Sequence, residues 1–328
     1  MKILRVGDPH ITVRNIMEGR KLMEFVAKLA TENDVDRVEF MGDLFHTHAV
    51  VRVEVMDFWT VVFEGLGRAG IPVLALVGNH DQPGSKEKEQ HMNSLNVFKS
   101  HSSTTIVDKP SIYNGIAYIP YMSDEEAFLK ATQELYKAGA TKTLVAHQTF
   151  TGAQYENGFY APDGIDPELV SQEHIISGHI HKGQTVGKAF YTGTAKWDSM
   201  SDANEEKGVW IFVHDSDGTV KSKKFYSTQD VVTPIYKHII IEGEDEPELI
   251  ENAKNYVELQ GKSAWIKKMK KKYKGIAQIK AKPVDRKMTR VDKAESTDIF
   301  QFLEASFVPA DGVKKEEINQ YLKEFIHV

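Results

Sequence analysis

The chain has 328 residues, 41% of them hydrophobic and 27% charged, with a formal net charge of −6 and no cysteine. That length holds one large domain with one or two small ones, and the missing cysteines exclude a disulfide framework, a thiolate metal site and a cysteine nucleophile. No apolar run is long enough to span a bilayer, and Met1-Lys2-Ile3-Leu4-Arg5-Val6 is too short and too soon charged for a signal peptide; a cytoplasmic protein with no membrane partner is expected.

Lys2 to Val6 reads as a buried strand that ends at Asp8, and Leu22, Phe25, Val26 and Leu29 recur at helical spacing. Arg37 to Met41 reads as a strand ending at Gly42-Asp43, and Pro72 to Val77 as another ending at Gly78-Asn79-His80-Asp81. Thr143 to Ala146 leads into His147, and His174 to Ser177 into Gly178-His179-Ile180-His181. Phe190 to Thr192, Val209 to Val213 and Lys221 to Tyr226 are apolar or alternating and read as further sheet. Near Thr233-Pro234 the pattern changes. Ile235 to Ile241 reads as a strand, an acidic turn follows, and a helix is expected from about Pro247 to Gln260.

Lys262 to Lys293 then carries 13 Lys or Arg against 2 Asp or Glu, leaving 28 against 45 in the rest of the chain. An acidic protein that gathers its cations this way can hold a polyanion there. Lys267, Lys268, Lys270, Lys271, Lys272 and Lys274 interleave with Trp265 and Tyr273 and are candidate DNA contacts. Gly261-Lys262-Ser263 imitates the end of a P-loop, but Tyr256 stands where the first glycine belongs and no strand-to-loop context precedes it. ATP hydrolysis by this chain is therefore not expected. Farther on, Ile299, Phe302 and Leu303 behind Ser296, and Ile318, Tyr321, Leu322, Phe325 and Ile326, form two short amphipathic stripes around Val308-Pro309-Ala310-Asp311-Gly312. Helices so short are unstable alone, so they need a surface, on their own domain or on a partner.

The chemistry lies in Asp8-Pro9-His10, Gly42-Asp43, Gly78-Asn79-His80-Asp81, His147 and Gly178-His179-Ile180-His181. Each piece is weak alone: an Asp-x-His pair is usually surface chemistry, and a single histidine is usually a hydrogen-bonded core residue. Together, each after a strand, they supply the carboxylate, imidazole and amide ligands that two divalent metals about 3.5–4 Å apart require. Asp43, on a Gly turn, suits the bridging role. Oxygen and nitrogen ligands without sulfur favour Mn²⁺ or Fe²⁺ over a structural zinc site. His80, beside Asn79, is the candidate general acid, with Asp81 expected to orient its imidazole. His46 is the candidate for contacting the phosphate.

In order, spacing and surroundings these motifs resemble the calcineurin-like metallophosphoesterases. Gly42-Asp43-Leu44-Phe45-His46 and His147-Gln148 are similar to the DNA-repair nuclease branch typified by the bacterial SbcD exonuclease subunit. The resemblance implies an α/β four-layer sandwich, two mixed β-sheets flanked by helices, with a small α+β cap and a C-terminal helix pair. It divides the chain into a catalytic domain (1–232), a DNA-capping domain (233–292) and an ATPase-binding tail (293–328). It assigns Asp8, His10 and His181 with Asp43 to one metal, and Asn79, His147 and His179 with Asp43 to the other. It implies Mn²⁺ as the activating ion, with Fe²⁺ or Mg²⁺ as alternatives.

The activity implied is DNA phosphodiester hydrolysis: exonuclease on duplex ends, endonuclease on single strands or hairpins. The partner implied is an SbcC-like coiled-coil ATPase, bound through Ile299, Phe302, Leu303, Ile318, Tyr321, Leu322 and Phe325. A homodimer through catalytic-domain helices is also implied, for which Met56, Trp59, Val62 and Phe63 offer a stripe unless the core buries it. The chain departs from the pattern at Thr47-His48-Ala49-Val50, where relatives often carry Arg or Asn near a Pro, and Arg52 is the candidate substitute for contacting DNA. The short cap and tail look like a compact bacterial or bacteriophage version, acting in a bacterial cell or a phage-infected host. Two other functions compete: a small-molecule or cyclic-nucleotide phosphodiesterase or phosphatase, and a DNA-end-binding tethering subunit that recruits the ATPase.

Overall fold

The computed structural model describes residues 1–48, 50–83 and 92–284. The two expected C-terminal helices, with all seven of their proposed partner-binding residues, lie outside that range. In chain order the elements are β1 (Lys2–Val6), α1 (Ile16–Glu32), β2 (Arg37–Phe40), α2 (Val53–Arg68), β3 (Val73–Leu76), β4 (Thr104–Val107), β5 (Ser111–Tyr113), β6 (Ile116–Ile119), α3 (Glu125–Lys137), β7 (Thr143–His147), β8 (His174–Gly178), β9 (Gln184–Val186), β10 (Ala189–Tyr191), β11 (Gly208–His214), β12 (Val220–Ser227), β13 (Ile235–Ile241), β14 (Lys254–Gly261), α4 (Ser263–Tyr273) and β15 (Gln278–Pro283). Among the described residues no helix is long and apolar enough to cross a membrane.

Two six-stranded sheets carry the fold, in the orders β12-β11-β1-β2-β3-β4 and β5-β6-β7-β8-β10-β9. The first is parallel from β1 to β4 and antiparallel on the β11 and β12 side only, and the second has a parallel centre from β6 to β10 with an antiparallel strand at each edge. Parallel neighbours need crossovers: α1 joins β1 to β2, α2 joins β2 to β3, and α3 joins β6 to β7. Side chains alternate along a strand, and three cores result. In β3, Val73 and Ala75 face the core shared with α1 and α2, whereas Leu74 and Leu76 face a second core. In β7, Val145 joins that second core and Leu144 and Ala146 turn to a third with Phe128 of α3. The second core therefore lies between the sheets, giving the four-layer α/β sandwich.

The chain divides into two compact units, Met1–His238 with Glu248–Tyr256, and Ile239–Pro247 with Val257 onward. The helix expected over about 247–260 is absent: Lys254–Gly261 is a strand in the middle of the sheet β13-β14-β15. Val257 and Leu259, two residues apart, are both buried, a strand's period that the charged flank obscures. The helix comes one segment later, over the lysine run itself, so a strand does precede Gly261-Lys262-Ser263. In α2, Trp59 and Phe63 are fully buried, with rings edge-on to Phe40. They belong to the core and are unavailable as a dimer face.

A polar cluster that composition did not reveal sits in the interior. Arg5 Nε and Arg37 Nε donate to the two oxygens of Glu39 at 2.8 and 2.7 Å, and Tyr118 Oη donates to Glu39 at 2.6 Å. Tyr118 comes from the other sheet, so the cluster ties the two sheets together. Burial alone would raise the Glu39 carboxyl, but Arg5 and Arg37 hold it below the usual glutamate range. Removing one partner of a buried pair leaves the others uncompensated. Glu39→Gln is expected to cost about 3–5 kcal/mol, read as a lower urea midpoint at pH 7. A depressed folded pKa means the contribution is complete above about pH 4.3. It is lost as pH falls through the folded value, so the difference between the two proteins should narrow only in acid.

Candidate metal centre

The first unit's strand ends deliver the site. Asp8 and His10 follow β1, Asp43 follows β2, Asn79 and His80 follow β3, His147 ends β7, and His179 and His181 follow β8. Register sets their heights: Val6 pairs with Phe40 and His147 with Gly178. The chain must turn sharply at each end. Asp8, His10, Asp43 and His179 take the turn themselves, with φ of 29°, 44°, 50° and 80°. Residues other than glycine rarely adopt that region. Gly42 also has positive φ, and a Cβ there would overlap the His147 ring; one at Gly78 would overlap Asp43.

Asp43 Oδ2 lies 3.6 Å from His10 Nε2 and 3.3 Å from His147 Nε2. Its Oδ1 accepts the His80 N–H at 2.8 Å. On one side, His10 Nε2 is 3.1 Å from His181 Nε2. On the other, Asn79 Oδ1 is 3.0 Å from His147 Nε2 and 2.8 Å from His179 Nδ1, and those two nitrogens are 3.3 Å apart. His147 Nδ1 donates to the Met41 carbonyl at 2.8 Å, which turns Nε2 inward. The turn at His179 separates the two histidines, His179 presenting Nδ1 to one group and His181 Nε2 to the other.

Asp8 is buried in the same cluster. Its Oδ2 accepts the His179 N–H at 2.8 Å, and its Oδ1 has no hydrogen-bond partner and lies 3.5 Å from His147 Nδ1. Burial, reinforced by Asp43, pushes the Asp8 carboxyl up to about 8. Burial acts the same way on Asp43, but His147 and His10 hold it below the usual carboxylate range. His147 is driven up to about 9, Asp43 and Asp8 outweighing its burial.

Two divalent cations fit this donor set. Imidazole nitrogens facing each other at 3.1 and 3.3 Å oppose lone pairs unless a proton or cation lies among them. The buried carboxylates call for positive charge. His10, Asp43 and His80 lie close enough to hold one cation, with His181 3.1 Å from His10, whereas Asp8 lies against His147 and His179. Asp43, Asn79, His147 and His179 can hold the other.

The flanking residues differ in part from expectation. Asp81 does not orient His80: its carboxylate accepts the backbone N–H groups of Phe45 and Gly78 at 3.1 and 3.0 Å, closing two loops. The His46 carbonyl takes the expected role, accepting from His80 Nδ1 at 2.6 Å. The His46 ring stands 5.3 Å from that of His10, and its Nδ1 is 3.7 Å from Asp198 Oδ2. His48, from the atypical loop, stacks on His80 at 4.1 Å and donates to the Asn79 carbonyl. Arg52 is exposed at the start of α2, its guanidinium paired with Glu54. In α4, Lys267, Lys268, Lys270 and Lys271 are exposed, as is Lys274 after it, and Lys272 pairs with Glu246.

Sequence reasoning missed the clamp on His181. Glu156 accepts its N–H at 2.8 Å, and the buried Lys207 donates to its carbonyl at 2.7 Å. Glu156 Oε1 is also 3.7 Å from His181 Nδ1. Neither residue carries a local signal, because both come from distant loops.

Strand-end ligands around a shared carboxylate, on paired mixed sheets, define a metal-dependent phosphoesterase. Residues 1–183 match the calcineurin-like phosphoesterases, and the chain belongs to that family. It is 25% identical over 230 residues to exonuclease subunit 1 of Enterobacteria phage T4, covering 67% of this chain and 66% of the phage protein. It is 23% identical over 246 residues to the DNA double-strand break repair protein Mre11 of Halobacterium salinarum, covering 70% of this chain and 62% of that protein. The crystal structure of a 5'-nucleotidase precursor from Thermus thermophilus aligns with a TM-score of 0.38 at 12% identity, over 69% of this chain and 54% of that one.

The clamp on His181 generates a test. Partners that orient a metal-binding histidine typically contribute 10–100-fold in metal affinity. Glu156→Ala, which removes the acceptor, is expected to weaken one of two divalent-cation binding events, titrated calorimetrically with Mn²⁺, by about that factor and to leave the other in place.

Proposed function

We propose that the protein is a Mn²⁺-dependent DNA nuclease, an exonuclease on duplex ends and an endonuclease on single strands or hairpins, acting as the nuclease subunit beside an SbcC-like coiled-coil ATPase. The observation that carries this reading is the single Asp43 carboxylate placed between two nitrogen-rich ligand groups. When bound, the two cations supply an acidified water and charge compensation for a phosphodiester. The names of the phage and archaeal relatives favour DNA as that phosphodiester. So do the exposed lysines of α4, since phosphate neutralisation dominates DNA affinity. An open cleft lined by Thr12, Arg14, Asn15, His46 and Asp198 offers a path for the strand.

The chain's own residues have definable tasks. With Nδ1–H fixed on the His46 carbonyl, Nε2 of His80 is the nitrogen that can exchange a proton with the leaving oxygen. On this reading His46, whose Nδ1 lies 3.7 Å from Asp198 Oδ2, contacts the phosphate. On this reading the cap covers DNA, the tail holds the ATPase, and a dimer would use surfaces other than Trp59 and Phe63. A tethering subunit without catalysis would leave this ligand set unused, and a small-molecule phosphodiesterase would have little use for a lysine-rich helix.

The test is Mn²⁺-dependent digestion of an end-labelled linear duplex beside bis-(p-nitrophenyl) phosphate. Both should be cleaved, and Asp43→Asn should reduce both to the buffer control. Cleavage of the small ester alone, even with the ATPase added, would point to a small phosphodiester substrate. His80→Asn should retain two bound metals, counted by elemental analysis, while kcat on DNA falls about 10²–10⁴-fold; loss of metal would make His80 a ligand instead.

A further inference from the structure

The loop between β7 and β8 leaves the site at His147 and returns to it. Its base is fixed by Phe150, Ala153, Ala161 and Ile165, all buried in the core under α3. Cross-strand bonds run up it: Gly152 N to the Ala161 carbonyl at 3.0 Å, Ala161 N to the Ala153 carbonyl at 2.7 Å, and Tyr155 N to the Phe159 carbonyl at 2.8 Å. Gln184 binds it from the side, accepting from Gln154 N at 2.8 Å and donating to its carbonyl at 2.7 Å. At the tip, Glu156 accepts the N–H of His181. The loop is thus a stiff rib whose tip touches a metal ligand. Three and four residues past that contact stand Phe159 and Tyr160, 72% and 65% exposed.

Two adjacent aromatic rings left in water gain nothing for this unit's own packing, and the rib holds them without further ordering cost. Aromatic faces stack on unpaired bases whatever their sequence. We propose that Phe159 and Tyr160 form a stacking platform for unpaired bases of a DNA strand whose backbone lies at the metal centre. The inference rests on the nuclease reading and adds its substrate form: a strand with an unpaired or frayed end, held by base faces and not by base identity.

The experiment uses the full chain and a single-stranded oligonucleotide containing 2-aminopurine, with Ca²⁺ in place of Mn²⁺ and a blunt duplex in parallel. Leucine keeps the apolar surface and removes the ring face. The Phe159→Leu/Tyr160→Leu double variant should lose the 2-aminopurine quenching, and its single-strand affinity should fall at least about 5-fold. Its melting temperature should be unchanged, and the Phe159→Trp variant, which keeps a ring face, should keep the quenching. The blunt duplex should lose less. Equal quenching and affinity in the leucine variant would overturn the platform, as would an intact DNA response with lost binding to the ATPase, which would make the rings a protein contact. A wild-type protein that hydrolyses bis-(p-nitrophenyl) phosphate but neither binds nor cuts any DNA would overturn the nuclease reading itself.

Discussion

Asp43 is 2% exposed and yet has to carry charge. Burial opposes ionisation, and the surrounding imidazoles outweigh it. The same residue organises its neighbours through its backbone and its side chain. Its carbonyl accepts the His10 N–H at 3.0 Å, tying the loop after β2 to the loop after β1. Its Oδ1 accepts the His80 N–H and ties both to the loop after β3. Gly78 leaves room for that approach. Any change that moved this carboxylate would disturb three loops and both ligand groups together.

Left-handed backbone at four of the site's own residues has a cost, on the order of 1–3 kcal/mol each. A hydrophobic core on either side of each sheet offsets it. The arrangement explains why the ligands sit at strand ends and not in long loops. A strand end is held on two sides by its neighbours, so a turn forced there has nowhere to relax. The Glu39 cluster adds to this rigidity, because it joins the sheet carrying Asp8, Asp43 and Asn79 to the sheet carrying His147 and His179.

Outside the ligands, the site is built from contacts that carry chemistry indirectly. Asp81 closes two loops, the His46 carbonyl sets the His80 tautomer, and Glu156 and Lys207 grip the two polar backbone atoms of His181. Each fixes a loop or an imidazole without touching the reacting phosphate. The rib that bears Glu156 therefore reaches the candidate metal site through His181 and bears the proposed platform.

The residues gathered at the candidate site were legible in the sequence because their signals are local: a carboxylate or histidine just after an apolar run, with a glycine where backbone must pass close. The strands that lead to the site were legible for the same reason, from runs such as Val73 to Leu76. The strand at Lys254–Gly261 was not, since its charged residues mask a period of two that only its place between β13 and β15 enforces. Nor was the division of labour around His80, because Asp81, its neighbour in the chain, turns its carboxylate toward Phe45 and leaves the imidazole to a carbonyl from another loop. Residue type and strand ends determined that this chain can hold two cations. Which atoms face one another was decided by strand register and by contacts between segments more than a hundred residues apart, as between His147 and Met41, and no local pattern encodes those.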